Sequence, residues 1–174
     1  MSDLIRSGST VDEGSPTLAE DFDEFYSAEY LRLFRAMVLL CGEPTEADDL
    51  TQEAFVRVFE RWERVSAMKA PLSYLYRTAL NIHRSRVGRA IRWGRRVVFE
   101  RPVEDVSESA TARAEVHRAL RHVSAEQRKA LILVDWVGMT SEEAGAVLGI
   151  QPGAVRGRVH RGHETLRREL TSDE

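Results

Sequence analysis

The sequence predicts an all-α protein built as two small helical domains joined by a flexible linker. Three observations lead there. Apolar residues recur at three- and four-residue spacing over most of residues 22–93 and again over 116–170. No stretch of useful length alternates apolar with polar residues as a strand would. Between the periodic regions, ERPVEDVSESAT at 100–111 is acidic, serine-rich and without an apolar stripe, as a linker is. The expected boundaries are a disordered tail at 1–20, a helical bundle at 21–96, an acidic linker at 97–111 and a second helical domain at 112–170.

Residues 1–20 are polar and aperiodic. Phe22, Phe25, Tyr26, Tyr30, Leu33, Phe34, Met37 and Val38 then mark one helix, which Gly42 stops. Pro44 and Thr45 open a second, with Thr45 expected as its N-cap and Glu46, Asp48 and Asp49 on its positive end. Its apolar positions are Ala47, Leu50, Ala54, Phe55, Val58, Phe59 and Trp62. The pattern breaks over 64–70, and Pro71 begins a third helix running to about Trp93. Leu72, Leu75, Tyr76, Ala79, Ile82 and His83 form its core stripe. Tyr74, Arg77, Asn81 and Arg84 recur on another face, followed by Arg86, Arg89, Arg92, Arg95 and Arg96 with Trp93 among them. An aromatic and an amide among arginines suit single-stranded nucleic acid, through stacking and phosphate contacts. A solvated helix face has the same composition, and the pattern alone does not separate the two.

After the linker, Val116, Ala119, Leu120 and Val123 form a stripe. Ser124 with Gln127 makes a capping box for a helix carrying Ala130, Leu131, Val134, Trp136 and Val137 to Gly138. Thr140 and Glu143 make a second box; Ala144, Val147 and Leu148 give that short helix an apolar face. Gly149 ends it, because a left-handed backbone costs glycine nothing. Pro152 has its φ preset for a last helix buried along Val155, Val159 and Leu166, with Arg156, Arg158, His160 and Arg161 projecting elsewhere. A short helix, a glycine turn and a basic helix make a helix-turn-helix. About 18 residues at 1.5 Å each reach roughly 27 Å, enough to lie in a major groove. A helical hairpin with a solvated basic face is the plainer alternative.

The net charge of −3 conceals a division. Residues 1–64 hold 6 Lys/Arg against 15 Asp/Glu, whereas 65–101 hold 9 against 1. The acidic half repels phosphate, so the free chain is expected to bind nonspecific DNA weakly and to take its main grip from a partner. No glycine-rich phosphate loop, HExxH or nucleophile elbow occurs, so neither an enzyme nor a cofactor is expected. His160 and His163, at i, i+3, are not expected to hold a metal. Cys41 is the single cysteine, which excludes an internal disulfide and leaves a packing role. No window approaches 18 apolar residues, so no membrane span is expected. The first residues lack the basic-then-apolar order of a signal peptide, giving a cytoplasmic expectation.

Four segments carry a family resemblance. ADDLTQEAFVRVFERW at 47–62 is similar to AEDLxQEVFxRxW, and YLYRTALN at 74–81 to WLYRIARN. Residues 123–131 are similar to LPxxxRxxxxL, and 143–163 to EIAxxLGIxxGTVxSRLxRAR. In this order and spacing they resemble the extracytoplasmic-function (ECF) group of bacterial RNA polymerase sigma factors, in the sigma-70 family. Residues 21–93 are similar to sigma region 2 and 112–170 to region 4. The resemblance implies a non-enzymatic subunit that directs core RNA polymerase to specific promoters and helps open the −10 region. It implies that Asp49, Leu50, Gln52, Glu53, Phe55, Val56 and Phe59 dock on the coiled coil of the largest polymerase subunit. Met68, Lys69, Ala70, Tyr74, Arg77, Asn81, Arg84 and Arg86 would hold the unpaired −10 strand. Gln151, Gly153, Ala154, Arg156, Arg158, His160 and Arg161 would read the −35 duplex. The polymerase flap and an anti-sigma protein are further implied partners.

The chain also departs from the family pattern. Tyr74 stands for the usual tryptophan, and His163 for an arginine. Gly145, Ala154, Gly157 and Gly162 stand where Ala, Thr, Ser and Ala are usual. Each extra helical glycine costs roughly 0.5–1 kcal/mol, so the second domain is expected to be loosely held until DNA or polymerase binds it.

Overall fold

A computed structural model describes residues 18–94, 115–116 and 118–171. The expected tail up to residue 17, Arg95 and Arg96, and the whole linker at 97–111 lie outside the described residues. The order is α1 (Leu18–Cys41), α2 (Pro44–Phe59), α3 (Trp62–Ser66), α4 (Pro71–Arg92), α5 (118–122), α6 (Ala125–Leu131), α7 (Ser141–Leu148) and α8 (Pro152–Thr171). A π-helical turn, Ile132–Trp136, continues α6. The described residues contain no strand, as the all-α expectation requires.

α1 begins at Leu18, inside the expected tail, with Glu20 and Asp21 on its positive end. Gly42, at φ +81°, closes it by donating to the Val38 carbonyl at 2.8 Å. The cap of α2 is Glu43, two residues earlier than the expected Thr45. Pro44 occupies the first helical position, where no donor is needed, and that fixes the cap at the residue before it. The Glu43 carboxylate accepts from the amides of Thr45 (2.9 Å) and Glu46 (2.6 Å). The interruption before Pro71 contains a helix of little more than one turn, α3, which buries Trp62 and Val65. Phe22 holds this end together, with ring centroids 4.8 Å from Phe59 and 5.3 Å from Trp62. Cys41 packs in the interior, its thiol donating to the Met37 carbonyl; burial pushes that thiol up to about 11.

In the second domain both capping boxes form, Ser124 with Gln127 and Thr140 with Glu143. Gly149 takes the left-handed backbone at φ +70°. Ala119, Leu120 and Val123 are buried, whereas Val116 is exposed. Two of the three unusual glycines mark close approach rather than slack. A Cβ on Gly145 would lie 2.7 Å from the Ile150 carbonyl oxygen, and one on Gly162 would lie 2.7 Å from Leu131 Cδ1. At Gly157 the nearest neighbour is the Arg161 guanidinium, at 3.4 Å.

The two domains pack on each other. One apolar cluster runs from Leu33, Met37 and Ala79 through Ile132, Leu133 and Met139 to Val147 and Val155. Arginines cross the seam to main-chain carbonyls. Arg128, 9% exposed, donates to the carbonyls of Leu120 and Val123 (both 3.1 Å) and, across the seam, of Leu40 (3.0 Å). Arg32 donates to the Val137 carbonyl, and Arg77 to that of Ala146 at 2.9 Å. Leu40 and Ala146 lie in the last turns of α1 and α7, where carbonyls lack intrahelical partners and the dipole favours a cation.

His83 also lies at this seam, its Nδ1 3.9 Å from the Glu46 carboxylate and without a hydrogen-bond partner. Burial, reinforced by Lys129, Arg128 and Arg86, lowers its pKa to about 4. The unfolded chain, with a value near 6.5, therefore takes up a proton that the folded chain refuses. Stability should fall as pH drops from 6.5 toward 4, by on the order of 1 kcal/mol per pH unit. Urea unfolding at pH 7 and pH 5 measures this. His83→Phe should flatten the difference, and equal slopes in both proteins would remove His83 as its source.

Candidate nucleic-acid and polymerase interface

α2 turns 100° per residue, and its motif therefore covers both an inner and an outer face. Leu50 and Phe55, expected among the docking residues, are buried in the core and are not available to a partner. Asp49, Gln52, Val56 and Phe59 face outward, Val56 and Phe59 each more than half exposed, and Glu53 is partly buried. Gln52 is itself held at 2.6 Å to Asp48, whose other oxygen accepts the Tyr30 hydroxyl at 2.5 Å. That bond pushes the Tyr30 phenol up to about 12.

Glu53 joins α2 to α4. It accepts from Arg86 at 2.6 Å and Arg57 at 2.5 Å, and the Arg86 bond, followed by the Arg57 charge, holds its carboxyl below the usual range. Arg86 is thus turned toward α2 and away from the other residues expected on the strand-binding face. Of the rest, Tyr74, Arg77, Asn81 and Arg84 share one side of α4. Residues 71–94 contain no Asp or Glu, so nothing on α4 opposes phosphate. Asn81 and Arg84 are exposed and hydrogen-bonded to each other at 3.2 Å. Tyr74 is half-buried against the core, with Met68, Lys69 and Ala70 in the loop before it. Arg77 is exposed but tied to the Ala146 carbonyl of α7.

Arg61 and Arg64 escaped the sequence reading because they belong to a different element, at the start of α3. Arg61 Nη1 donates to the Tyr74 hydroxyl at 3.2 Å, and this bond lowers the Tyr74 pKa, with Arg64 adding to it. No spacing rule links position 61 to 74; only the fold of α3 brings them together.

On α8, Gln151, Gly153, Ala154, Arg156, His160 and Arg161 are all exposed except for their backbone side. Arg156 lies 3.7 Å from Glu142 at the start of α7, a loose surface pair. Arg158 departs from this group. Two residues on from Arg156 it turns about 200° around the helix, and it bonds Glu126 of α6 at 3.0 Å. Glu126 is held below its usual range first by Lys129 and then by Arg158. His160 sits 3.5 Å from Glu164, and His163 2.7 Å from Asp135. No helix among the described residues is long and apolar enough to cross a membrane.

Residues 25–93 match the family Sigma-70 region 2, and residues 113–166 match Sigma-70, region 4. The chain is 31% identical over 160 residues to the RNA polymerase sigma-E factor of Streptomyces avermitilis, covering 87% of this chain and 86% of that protein. It is 30% identical over 155 residues to the ECF RNA polymerase sigma factor SigM of Mycobacterium tuberculosis, covering 86% and 76%. Its fold is similar to that of the sigma factor RpoE from Bartonella quintana, solved with the anti-sigma factor NepR. The TM-score is 0.78 at 22% identity, over 88% of this chain and 99% of that one. It is also similar to CnrH, solved with the cytosolic domain of CnrY, with a TM-score of 0.67 at 24% identity over 88% and 89%. Two family regions in their proper order, on an all-helical frame ending in a helix-turn-helix, place this chain in the ECF group of the sigma-70 family of RNA polymerase sigma factors.

Proposed function

We propose that this sigma factor docks core RNA polymerase through the outer face of α2, holds the melted −10 strand on α4 and reads the −35 duplex with α8. The observation that carries this reading is the acid-free face of α4, where Tyr74, Arg77, Asn81 and Arg84 share one side. Such a face offers a stacking surface, an amide for a base edge and cations for phosphate. On α2, Asp49, Gln52, Glu53, Val56 and Phe59 make the docking surface, with the polymerase flap meeting the second domain. On α8, Arg156 with Gln151, His160 and Arg161 forms the base-reading set, and Arg158 supports it from behind. The chain makes and breaks no covalent bond itself, and it acts in the cytoplasm beside polymerase and DNA. Arg77 is exposed and gives one Nη2 donor to Ala146, which leaves its other N–H groups for phosphate. An anti-sigma protein covering residues 46–62 or the second domain is the proposed regulator, in keeping with the anti-sigma factor solved on the Bartonella relative.

Transcription from a promoter that the holoenzyme uses tests the division of labour. Tyr74→Ala and Asn81→Ala should lower permanganate reactivity of the −10 thymines while leaving −35 preference intact. Arg156→Ala should relax preference at one or two −35 positions, by about 1–3 kcal/mol if its contact is bidentate. A mismatched bubble built at −10 should restore transcription to the first two variants and not to the third. Equal rescue of all three, or of none, contradicts the assignment.

A further inference from the structure

The joint between α2 and α3 reaches the aromatic residue of α4 from the side. Arg61 precedes α3 at φ −128° and ψ 17°, and its side chain makes no capping bond to that helix. The guanidinium goes instead to the Tyr74 hydroxyl, 3.2 Å away. Arg64, one turn further along, acts on the same oxygen. Tyr74 is partly buried and packs against the core. A ring gripped at its base by packing and at its tip by a hydrogen bond keeps one rotamer, so less side-chain entropy remains to be lost when a base stacks on it. A tryptophan at this position would offer Arg61 no hydroxyl.

We infer that Arg61 is a positioning residue for Tyr74, holding the ring in place to stack on an unpaired base. This rests on the reading of α4 as the strand-binding face and adds to it a residue from a different element. Arg61 accomplishes this through the phenol oxygen and not by touching the strand. Its effect therefore depends on that oxygen.

The test uses the full chain bound to core polymerase, with a fluorescent 12-nucleotide oligo-dT strand as probe and core alone as the baseline. Arg61→Ala should weaken binding about threefold to tenfold, and Tyr74→Ala by roughly 5- to 100-fold, the range for losing one stacked base. In a Tyr74→Trp background, Arg61→Ala should change binding by less than about 1.5-fold, because without the hydroxyl Arg61 has no contact at position 74 left to lose, and the effects of the two changes are then non-additive. Equal weakening in both backgrounds would mean that Arg61 meets the strand directly, and would overturn the positioning role. A second readout separates this inference from the reading beneath it. Ultraviolet titration of the phenols, with Tyr74→Phe to assign the signal, should show the Tyr74 ionisation moving upward in Arg61→Ala. If it does not move, Arg61 does not hold the hydroxyl, whatever the strand does. If it moves but Tyr74→Ala binds oligo-dT normally, the geometry stands while the strand-binding face, and the role inferred upon it, both fail.

Discussion

Arg128→Met should cost about 3–5 kcal/mol, a large share of the 5–15 kcal/mol that holds a typical domain together. The buried guanidinium serves carbonyls at the ends of α1 and α5. Methionine fills much of the same volume but donates nothing, leaving acceptors at Leu40, Leu120 and Val123 short of a donor in places water does not reach. Lysine should rescue little, since one ammonium cannot span the directions that a planar fork covers. Urea unfolding followed by circular dichroism measures the loss. With a slope of 1–3 kcal/mol per molar urea, the midpoint should fall by at least about 1 M. A shift below about 0.3 M would show that apolar packing alone joins the domains at this point.

Gly145→Ala and Gly157→Ala should move stability in opposite directions, although both exchange glycine for a better helix former. The Cβ added at 145 meets the Ile150 carbonyl oxygen at 2.7 Å, with Pro152 N and Val155 Cγ2 just beyond. The obstacle is backbone in the turn between α7 and α8, so the two helices of the helix-turn-helix must splay to make room. Overpacking of this kind exceeds the ~0.5–1 kcal/mol gained in propensity and leaves a net loss of about 2 kcal/mol. At 157 the neighbour is the far end of the Arg161 side chain, which can move, and the propensity gain remains. Melting temperatures should fall by about 4–8 °C for Gly145→Ala and rise by about 1–4 °C for Gly157→Ala. A fall in both would mean that the space at 157 is tighter than its one flexible neighbour suggests.

Much of the helical frame was legible because its signals are local. Ser124 with Gln127 and Thr140 with Glu143 declare two helix starts by side chains three residues apart, and Gly42 and Gly149 declare two ends. The cap at Glu43 was missed because Thr45 is the commoner type of cap, and the proline between them decided the matter. The π turn at Ile132–Trp136 leaves no comparable mark in an apolar run. The candidate sites were harder for a different reason. A motif read along the chain gathers neighbours in sequence, whereas a helix sends Leu50 and Phe55 inward and Val56 and Phe59 outward. The same rotation separates Arg158 from Arg156. Arg61 could not be found at all without the fold, because its partner lies on another helix and is an ordinary tyrosine hydroxyl.

Arg32, Arg77 and Arg128 each reach a main-chain oxygen in the facing domain. An ion pair between two side chains can be broken by one substitution and restored by a second that reverses both charges. That route is closed here, because every residue at 40, 137 or 146 presents the same carbonyl. Changing the acceptor's side chain leaves the bond's chemistry intact, and losing the arginine admits no charge-swapped suppressor opposite it. Each of these three bonds therefore depends on the identity of one residue, its arginine. Selection can weaken or remove each tie by a single change at Arg32, Arg77 or Arg128, without a coordinated change in the facing domain.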